Sequence, residues 1–395
     1  MHYTDSTDIK EQNQISTKQR PIRILHVVGG MNRGGLETWL MHVLRHIDRD
    51  RFQMDFLVHT EKPCPYDDEV RALGSRIIPC LISTSKPWLY AQNFKHILHE
   101  YATYDIIHSH VHHYSGYILR LAHKAGIPIR IAHSHIDSSP LEAKSGWFRR
   151  LYLALMKSLI ARHATVGLGC SGVASEDLFG RNWKNDPRWQ IFYYGIDLAP
   201  FRELIDPIKI RAQLDIPDKV FVIGHVGRFQ EQKNHQFLLE IFAEVIKQDP
   251  QAYLLLVGEG ALRLDIEQQA LRMGIGSQVI FAGNCSDVPR LMMGAMNIFI
   301  LPSLSEGLPV VSIEAQSAGL PLVLSDIITQ ELDIAKPLIR RVSLSKPASA
   351  WANEVLELHR SAPRLASTEW LSSMENSPFN IVSCVKALQK VYSGG

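Results

Sequence analysis

The stretch Ser303–Asp326 reads SLSEGLPVVSIEAQSAGLPLVLSD and follows the apolar run Asn297–Leu301 (NIFIL). The run predicts a buried strand, so the residues after it form a loop at the carboxyl end of that strand. Pro309 fits the first turn of a helix, because the N–H that proline lacks is unpaired there anyway. Gly319 ends that helix, and Leu322–Leu324 predicts a second strand that is apolar on both faces. The sequence therefore predicts one unit of a parallel α/β sheet.

Two carboxylates lie in this unit. Glu306 is on the predicted loop, and Glu314 lies about one and a half turns inside the helix. Between them, Gly307 and Leu308 offer backbone N–H groups at the positive end of the helix, which is a natural anion site. Two carboxylates suit vicinal hydroxyls, as in a sugar or a ribose, and the amide donors suit a phosphate. The unit therefore predicts a site for a ligand that carries both kinds of group.

The spacing of these two glutamates resembles that of a known family. Glu306 and Glu314 match the E-x7-E motif of the retaining glycosyltransferases of family 4, which have the GT-B fold. Residues 287–326 (DVPRLMMGAMNIFILPSLSEGLPVVSIEAQSAGLPLVLSD) are similar to the subgroup that acts in bacterial exopolysaccharide and capsule assembly. The resemblance implies an α/β fold of two doubly wound, Rossmann-like domains that face a cleft, with a C-terminal helix that crosses back to the first domain.

The composition indicates a soluble globular protein of two domains. The chain has 395 residues, too many for one ordinary core, with 46% hydrophobic and 21% charged residues. A formal net charge of +2 gives no electrostatic reason to expect nucleic acid as a main ligand. The 5 cysteines include no C-x-x-C pair, which favours a reducing compartment.

The chain has no targeting segment that we recognise. No apolar run reaches the ~18 residues that a membrane helix needs, and the polar N-terminus lacks a signal-peptide core. We expect a cytoplasmic protein with a disordered tail at residues 1–20. We place the N-terminal, acceptor-side domain at residues 21–198 and the nucleotide-sugar-binding domain at residues 199–375. A crossover helix onto the first domain follows at residues 376–395.

The first domain opens with a strand, a glycine-rich loop and a helix. Ile22–Gly29 is a buried-strand pattern, and apolar residues recur at helical spacing after the loop GGMNRGG. The dinucleotide fingerprint G-x-G-x-x-G is absent. Gly34 and Gly35 before Glu37 resemble the G-G-x-E element that the family places against the donor diphosphate. A simple tight turn is the alternative interpretation.

The second domain repeats this opening. Val220–Val226 predicts a strand, and Arg228 and Lys233 follow it in the turn GRFQEQKN, where an open parallel sheet binds ligands. A diphosphate leaving group needs positive charge from a metal or from fixed cations. The pair matches the family's G-R-x4-K-N signature, which implies a diphosphate site. The loop that ends at Val288 resembles a segment that cups the nucleotide base in relatives.

Histidines follow two predicted strands of the first domain. Strand Asp105–Ser109 leads to His108, His110, His112 and His113, and strand Ile129–Ala132 leads to His133 and His135. We predict no metal site, because carboxylate or cysteine ligands at a usable spacing are missing and alternate strand residues point to opposite faces. The resemblance assigns His133 as an active-site histidine that contacts the donor sugar. His135 is the competing assignment, and a structural histidine is the alternative for both.

Three further segments carry patterns that bear on function. Lys144–Arg162 has no acidic residue and carries aromatic and leucine side chains at helical spacing. This pattern predicts either a helix that lies on an anionic membrane surface or an ordinary domain helix that buries its apolar face. Asp48-Arg49-Asp50 fits a D-x-D metal motif, but its polar turn favours a solvated surface. Tyr194–Asp197 (YGID) resembles the family's hinge element N-G-[IV]-D, with Tyr194 in place of the usual Asn.

The resemblance implies a function. We expect a retaining, metal-independent glycosyltransferase that moves a sugar from a nucleotide-diphospho-sugar, a UDP-sugar, to a lipid-linked saccharide acceptor in exopolysaccharide or capsule synthesis. Glu314 is expected to hold the ribose, Glu306 the transferring sugar, and Arg228 with Lys233 the diphosphate. No cofactor is expected. A nucleotide-sugar epimerase on the same scaffold and a non-catalytic nucleotide-sugar-binding protein are the alternatives.

Overall fold

The computed structural model describes residues 20–82, 85–101, 103–136, 138, 142, 145–363 and 367–394. The predicted tail therefore lies outside the described residues except for Arg20. The Arg20 guanidinium donates two hydrogen bonds to Asp105, at 2.8 and 2.6 Å. No helix in the described part of the chain is both long enough and apolar enough to cross a membrane.

A seven-stranded parallel sheet forms the first half of the chain, in the order β3-β2-β1-β4-β5-β6-β7. Its strands are β1 Ile22–Val28, β2 Phe52–Val58, β3 Ile77–Pro79, β4 Ile106–Ser109, β5 Ile129–Ser134, β6 Val166–Gly169 and β7 Trp189–Ile191. The helices of this half are α1 Gly35–His46, α2 Asp67–Ala72, α3 Pro87–Glu100, α4 Ser115–Lys124, α5 Trp147–His163 and α6 Gly172–Phe179.

A six-stranded parallel sheet forms the second half, in the order β10-β9-β8-β11-β12-β13. Its strands are β8 Val222–Val226, β9 Tyr253–Val257, β10 Val279–Gly283, β11 Ile298–Leu301, β12 Leu322–Ser325 and β13 Ile339–Val342. The helices are α7 Pro207–Gln213, α8 His235–Ile246, α9 Arg263–Arg272, α10 Val288–Gly294, α11 Val310–Ser317, α12 Ala348–Ser361, α13 Ser367–Glu375 and α14 Ile381–Tyr392. Every residue of β11 is fully buried, which explains its uninterrupted apolar sequence.

In each sheet the strand order reverses at one place. β1 pairs with both β2 and β4, and β8 pairs with both β9 and β11. At such a point the loops that follow two adjacent strands diverge and leave a crevice at their carboxyl ends. The loop after β8 carries Arg228 and Lys233, and the loop after β11 carries Glu306. The strand order therefore brings together motifs that are far apart in sequence.

The C-terminal helix α14 returns to the first sheet. The Ile196 N–H donates to the Phe379 carbonyl at 2.8 Å, and the Ile381 N–H donates to the Ile196 carbonyl at 3.0 Å. At the other end of α14, the Tyr392 hydroxyl is 2.9 Å from Nδ1 of His108. The predicted crossover and the predicted GT-B architecture of two Rossmann-like halves are confirmed.

Candidate functional site

The cleft is a cavity of about 560 Å³ between the carboxyl edges of the two sheets. Residues from both halves line it. Of the site residues that the sequence predicts, it brings together Gly34, Gly35, Arg228, Lys233, Val288, Glu306, Gly307, Leu308 and Glu314. His133 does not line the cleft, whereas His135 does.

Lys233 and Glu306 form an ion pair in the wall of the cleft. Nζ of Lys233 is 2.6 Å from Oε1 of Glu306, although the two residues are 73 positions apart. Their side chains are only 16% and 9% exposed, so water screens the pair weakly. The adjacency of β8 and β11 accounts for the meeting. The ion pair holds one carboxylate and one ammonium group in fixed positions at one point of the cleft.

Glu314 is in a different situation from Glu306. It lies half-buried on α11, and no hydrogen bond or ion pair to its carboxylate occurs among the residues that the structure describes. Burial without a compensating cation raises the pKa of Glu314 to about 7. A buried carboxylate that faces a cavity without a partner is an acceptor for a donor group of a ligand.

Two helix N-termini face each other across the cleft. A Cβ on Gly35, the first residue of α1, would lie 3.7 Å from Cγ2 of Val310, the first residue of α11. Arg228 is exposed between them, and a Cβ on Gly34 would lie 4.0 Å from its Cζ. Burial raises the pKa of Glu37, and the nearby charge of Arg228 opposes that shift. Two positive helix ends and a guanidinium make this part of the cleft suitable for a phosphate-bearing group.

The two halves of the chain touch at Gly307. A Cβ at this position would overlap the backbone carbonyl oxygen of His135 and would lie 3.1 Å from Sγ of Cys170. Only glycine therefore allows this approach of the α11 loop to the first sheet. Farther along the second sheet, Gly258 has a φ of +139° and packs on the Gly227 carbonyl, which brings the turns after β8 and β9 together.

The histidines of β4, β5 and the residues after them form a cluster. From the sequence we expected alternate strand residues to point to opposite faces, but these rings contact one another. His108 lies in β4 and His110 directly follows that strand, whereas on adjacent β5 His133 lies in the strand and His135 directly follows it. The contacts between ring nitrogens within this group are 2.9–3.1 Å. Tetrahedral ligands at ~2.1 Å from a metal would be about 3.4 Å apart, so these contacts fit hydrogen bonds better.

His112 and His113 do meet a carboxylate, so the expectation that no carboxylate lies in reach was wrong. Nε2 of His113 is 2.6 Å from Oε1 of Glu142, and Nε2 of His112 is 2.9 Å from the Ser138 hydroxyl and 3.2 Å from Asp177. Spacing in sequence did not reveal it, because Glu142 lies 29 residues after His113. The short contacts are again those of a hydrogen-bonded network.

The wall that α1 contributes was not predicted. Thr38, His42 and Arg45 line the cleft together with Tyr66 and Glu69. Arg45 donates two hydrogen bonds to Glu69, at 2.7 and 2.9 Å. A polar stripe at helical spacing, opposite the apolar face of α1, is the signal that could have identified this wall.

Asp48 and Asp50 lie outside the cleft. Both are exposed, and the Asp48 carboxylate accepts a hydrogen bond from the Asp50 N–H at 3.1 Å. The D-x-D pattern is therefore part of a surface turn after α1, as expected.

The fold and the cleft define a glycosyltransferase of the GT-B class. The family models named Glycosyltransferase Family 4 and Glycosyl transferases group 1 match residues 33–199 and 206–367. The chain is 38% identical to EpsF of Bacillus subtilis (strain 168), a protein named as a glycosyltransferase. The match covers 84% of this chain and 86% of EpsF. The chain belongs to glycosyltransferase family 4.

Other relatives are named as glycosyltransferases, one of them as an enzyme of capsular polysaccharide biosynthesis. The chain is 26% identical to the UDP-Gal:alpha-D-GlcNAc-diphosphoundecaprenol alpha-1,3-galactosyltransferase of Escherichia coli, over 78% of each protein. It is 23% identical to the capsular polysaccharide biosynthesis glycosyltransferase CapH of Staphylococcus aureus, over 94% of this chain and 98% of CapH. Anabaena HepE, solved with UDP and glucose, has the same fold, with a TM-score of 0.76 at 20% identity over 95% of this chain and 100% of HepE. These relatives support a glycosyltransferase of polysaccharide biosynthesis.

Proposed function

We propose that this protein transfers a sugar, with retention of anomeric configuration, from a UDP-sugar to a lipid-linked saccharide in exopolysaccharide or capsule synthesis. The observation that carries the proposal is the arrangement of charges in one cleft. A half-buried Lys233–Glu306 pair, an exposed Arg228 and a Glu314 without a partner among the described residues lie beside two helix N-termini. Together they offer donors to a diphosphate and acceptors to sugar hydroxyls.

Each residue receives a role from its position. Arg228, Lys233 and the amides of Gly34, Gly35, Gly307 and Leu308 bind the diphosphate. Glu314 accepts hydrogen bonds from the ribose, Glu306 faces the transferring sugar, and Val288 lies against the base. For the histidine near the donor sugar we favour His135, because its ring forms part of the cleft wall. His133 is fully buried and acts through its neighbours.

The chemistry requires no covalent intermediate with the protein. The bond between the anomeric carbon and the diphosphate oxygen breaks, and the acceptor oxygen bonds to the same face of that carbon. The acceptor proton passes to the departing phosphate oxygen, which is the base. Glu306 is held by Lys233 at 2.6 Å, which suits stabilisation of positive charge on the sugar better than nucleophilic attack.

Fixed cations take the place of a divalent metal in this proposal. We expect activity to survive EDTA, and Arg228→Ala or Lys233→Ala each to cost ~2–4 kcal/mol of transition-state stabilisation, the scale seen when one preorganised partner is lost. The kcat/KM of each variant is compared with that of Lys209→Ala, which removes an exposed lysine of α7. A strict requirement for Mg²⁺ or Mn²⁺ would contradict the assignment.

The identity of the donor is tested by a thermal-shift screen of nucleotides and nucleotide sugars. HepE was solved with UDP-glucose, and the Escherichia coli relative is named for UDP-Gal, so UDP-sugars are the first candidates. A donor at 100 times its Kd adds ~2.7 kcal/mol of apparent stability. Product analysis with the best donor alone then separates transfer from epimerisation, since an epimerase needs no acceptor. No shift with any UDP-sugar would contradict the proposed donor.

The acceptor is proposed to lie at the cytoplasmic face of a membrane, where α5 makes a peripheral contact. Four large side chains of α5 point to solvent: Trp147 is 65% exposed, Phe148 71%, Leu151 63% and Leu155 54%. Arg149 and Arg150 lie among them, and α5 contains no acidic residue. An apolar strip with basic neighbours is complementary to an anionic lipid surface.

A further inference from the structure

Seven side chains, six of them buried and His135 half-buried, are joined by successive polar contacts. Nδ1 of His133 is 3.1 Å from Nε2 of His108, and Nδ1 of His108 is 2.9 Å from the Tyr392 hydroxyl. That hydroxyl is 3.5 Å from Nε2 of His26, the longest link. The complete order is His133, His108, Tyr392, His26, His110, His135 and Tyr194, which we call the histidine chain.

The second part of the histidine chain reaches the cleft. Nδ1 of His26 is 2.9 Å from Nε2 of His110, and Nδ1 of His110 is 2.9 Å from Nε2 of His135. Nδ1 of His135 contacts the Tyr194 hydroxyl. His110, His135 and Tyr194 all line the cleft. The chain therefore connects helix α14 with the cleft wall.

All five imidazoles are neutral at pH 7. Burial lowers the pKa of His26 and of His135 to about 3, and it lowers the pKa of His108, His110 and His133 well below the ordinary range. A neutral imidazole has one donor and one acceptor nitrogen. Where two rings contact each other directly, fixing one tautomer fixes the other. If the Tyr392 oxygen accepted from both His108 and His26, its own buried hydrogen would have no acceptor among the described residues, so the series continues through it and two senses of the whole chain remain.

The terminal ring of the histidine chain, His133, determines the direction of its hydrogen bonds. Nε2 of His133 is buried and has no partner among the described residues. A buried N–H without an acceptor is rarer than a buried acceptor without a donor. Nε2 therefore holds a lone pair, and each of the five rings carries its hydrogen on Nδ1. His135 then donates to the Tyr194 oxygen.

We propose that the histidine chain is one directional series of hydrogen bonds that leaves the Tyr194 hydroxyl hydrogen free to donate to a ligand in the cleft. Tyr194 occupies the position at which the resembling family has Asn. When His135 donates to the Tyr194 oxygen, the tyrosine hydroxyl has its hydrogen available for a ligand. The thiol of Cys170, also near Tyr194, is a weaker acceptor than a ligand oxygen. Tyr392 and the inner histidines are positioning residues. Only the step from Tyr194 to a ligand depends on the proposed function.

The direction is tested by NMR of the wild-type protein with ¹⁵N-labelled histidine. We expect one hydrogen on Nδ1 in each of the five rings at pH 7, and couplings across the three histidine-to-histidine hydrogen bonds. Exposed His99 supplies the reference for an unconstrained ring. A hydrogen on Nε2 of His133, a charged ring, or a mixture of tautomers in the chain would overturn the proposal.

Tyr392→Phe tests the joint with α14. The aromatic ring of residue 392 is kept, but the Nδ1–H of His108 loses its acceptor. Either this N–H is unpaired, or the hydrogen bond between the two rings reverses and the Nε2–H of His133 is unpaired. We expect both rings to become mixtures of tautomers, although His133 does not contact Tyr392. Tyr104→Phe is the control, because it removes another buried hydroxyl, 2.9 Å from Asp55, outside the chain. An unchanged His133 spectrum in Tyr392→Phe contradicts the directional chain.

The step to the ligand has its own test. Tyr194→Phe should lower kcat/KM about fivefold to tenfold, the scale for one neutral hydrogen bond, while Tyr104→Phe stays within about twofold of wild type. Unchanged kcat/KM in Tyr194→Phe shows that the hydroxyl does not donate to a ligand. If no nucleotide sugar supports turnover, the proposed function fails, while the NMR result still decides the direction of the chain.

Discussion

The two glutamates of the cleft differ in their surroundings, and this predicts different kinetic effects. Glu314 is proposed to hold the ribose, which does not react, so its interaction is nearly equal in ground and transition states. Glu314→Gln should therefore raise the donor KM with kcat closer to wild type. Glu306, paired with Lys233, is proposed to face the sugar that becomes positive as its bond breaks. Glu306→Gln should lower kcat with little change in the donor KM.

Steady-state kinetics over a donor titration at saturating acceptor measures both effects. Glu240→Gln is a matched control, because Glu240 is exposed on α8 and outside the cleft. If Glu306→Gln changes only KM, the charge of Glu306 does not stabilise the transition state and the residue is merely a hydroxyl acceptor.

The raised pKa of Glu314 predicts a pH-dependent cost to stability. Between the ordinary value of 4.5 and the folded value of about 7, the folded state binds the proton more tightly than the unfolded chain. Stability is therefore lost as the pH rises through this window. Glu314→Gln should raise the free energy of unfolding at pH 8 by on the order of 1–2 kcal/mol, allowing for partial solvation, with a much smaller gain at pH 5. Urea denaturation at both pH values measures the difference, and equal gains would show an ordinary pKa.

The choice between His133 and His135 shows where sequence reasoning stopped at the residue scale. The apolar pattern predicted a strand over Ile129–Ala132 with His133 at its end, and it did not show which of the two histidines faces the cleft. In the structure β5 continues to Ser134, so His133 is inside the sheet and His135 is beyond it, on the cleft wall. Polar residues of a strand can be buried when they pair with one another, and periodicity does not reveal such pairing. Glu306, Glu314, Arg228 and Lys233 were predictable because each follows a clear apolar strand or lies in its helix.

At the scale of elements, α5 has two apolar faces, which the sequence did not separate. The predicted apolar face contained Trp147, Phe148, Leu151, Leu155 and Leu159, and all of these except the half-buried Leu159 are exposed. Leu153, Met156 and Ile160 pack on the domain instead. The buried face fits an ordinary domain helix, whereas contact of the exposed face with a membrane stays a prediction. Hydrophobic spacing alone does not tell which of two faces finds a partner.

The exposed face of α5 predicts binding to anionic membranes. Arg149→Glu with Arg150→Glu should weaken co-sedimentation with anionic liposomes at least tenfold, because each basic residue contributes ~1 kcal/mol at such a surface. Leu151→Ser with Leu155→Ser should weaken it through loss of apolar contact. We leave Lys157 unchanged, since its Nζ is 3.9 Å from Asp177.

Trp88→Ser is the control for this experiment. Trp88 is 63% exposed on α3 of the same half, away from α5. It should bind liposomes as wild type does. Equal binding by the charge-reversed protein, or no binding by wild type, would contradict the membrane contact.

Short or polar elements escaped the sequence analysis for a physical reason. Strand β3 has 3 residues, too few to show a period, and it occupies the edge of its sheet. The three prolines of residues 198–218 are typical of a linker that enters the second domain, yet Pro207 begins α7 with Asp206 as its N-cap. Proline in the first helical turn and proline in a linker give the same local pattern. The positions of the longer strands along the sequence, by contrast, were predictable from their apolar runs.

At the scale of the whole molecule, the two halves are joined by specific contacts as well as by the chain. The Glu331 carboxylate from the second half accepts hydrogen bonds from the Gly172 N–H and the Tyr193 hydroxyl, both at 2.9 Å. Buried side chains form one continuous cluster that includes Trp39 of the first half and Ile313 of the second. Sequence predicted two domains and a cleft, but not these contacts, because partners from separate halves share no spacing.

Gly307→Ala tests whether this closed arrangement is the working one. The added Cβ would overlap the His135 carbonyl oxygen, a backbone atom that cannot turn aside, so the α11 loop and the first sheet must separate. Separation moves the amides at the start of α11 away from the diphosphate site that we propose between α11 and α1. A misplacement of ~1 Å can cost ~10²-fold in rate, and we expect a loss of kcat/KM on that order.

The matched control for Gly307→Ala is Gly29→Ala. A Cβ at Gly29 meets nothing within 4 Å, so kcat/KM should be unchanged. Small-angle scattering should show a larger radius of gyration for Gly307→Ala than for wild type or Gly29→Ala, with a similar Tm. If Gly307→Ala keeps full activity and wild-type dimensions, the contact between Gly307 and His135 is not needed for transfer. The diphosphate would then have to be held by the second half alone, through Arg228, Lys233 and the start of α11.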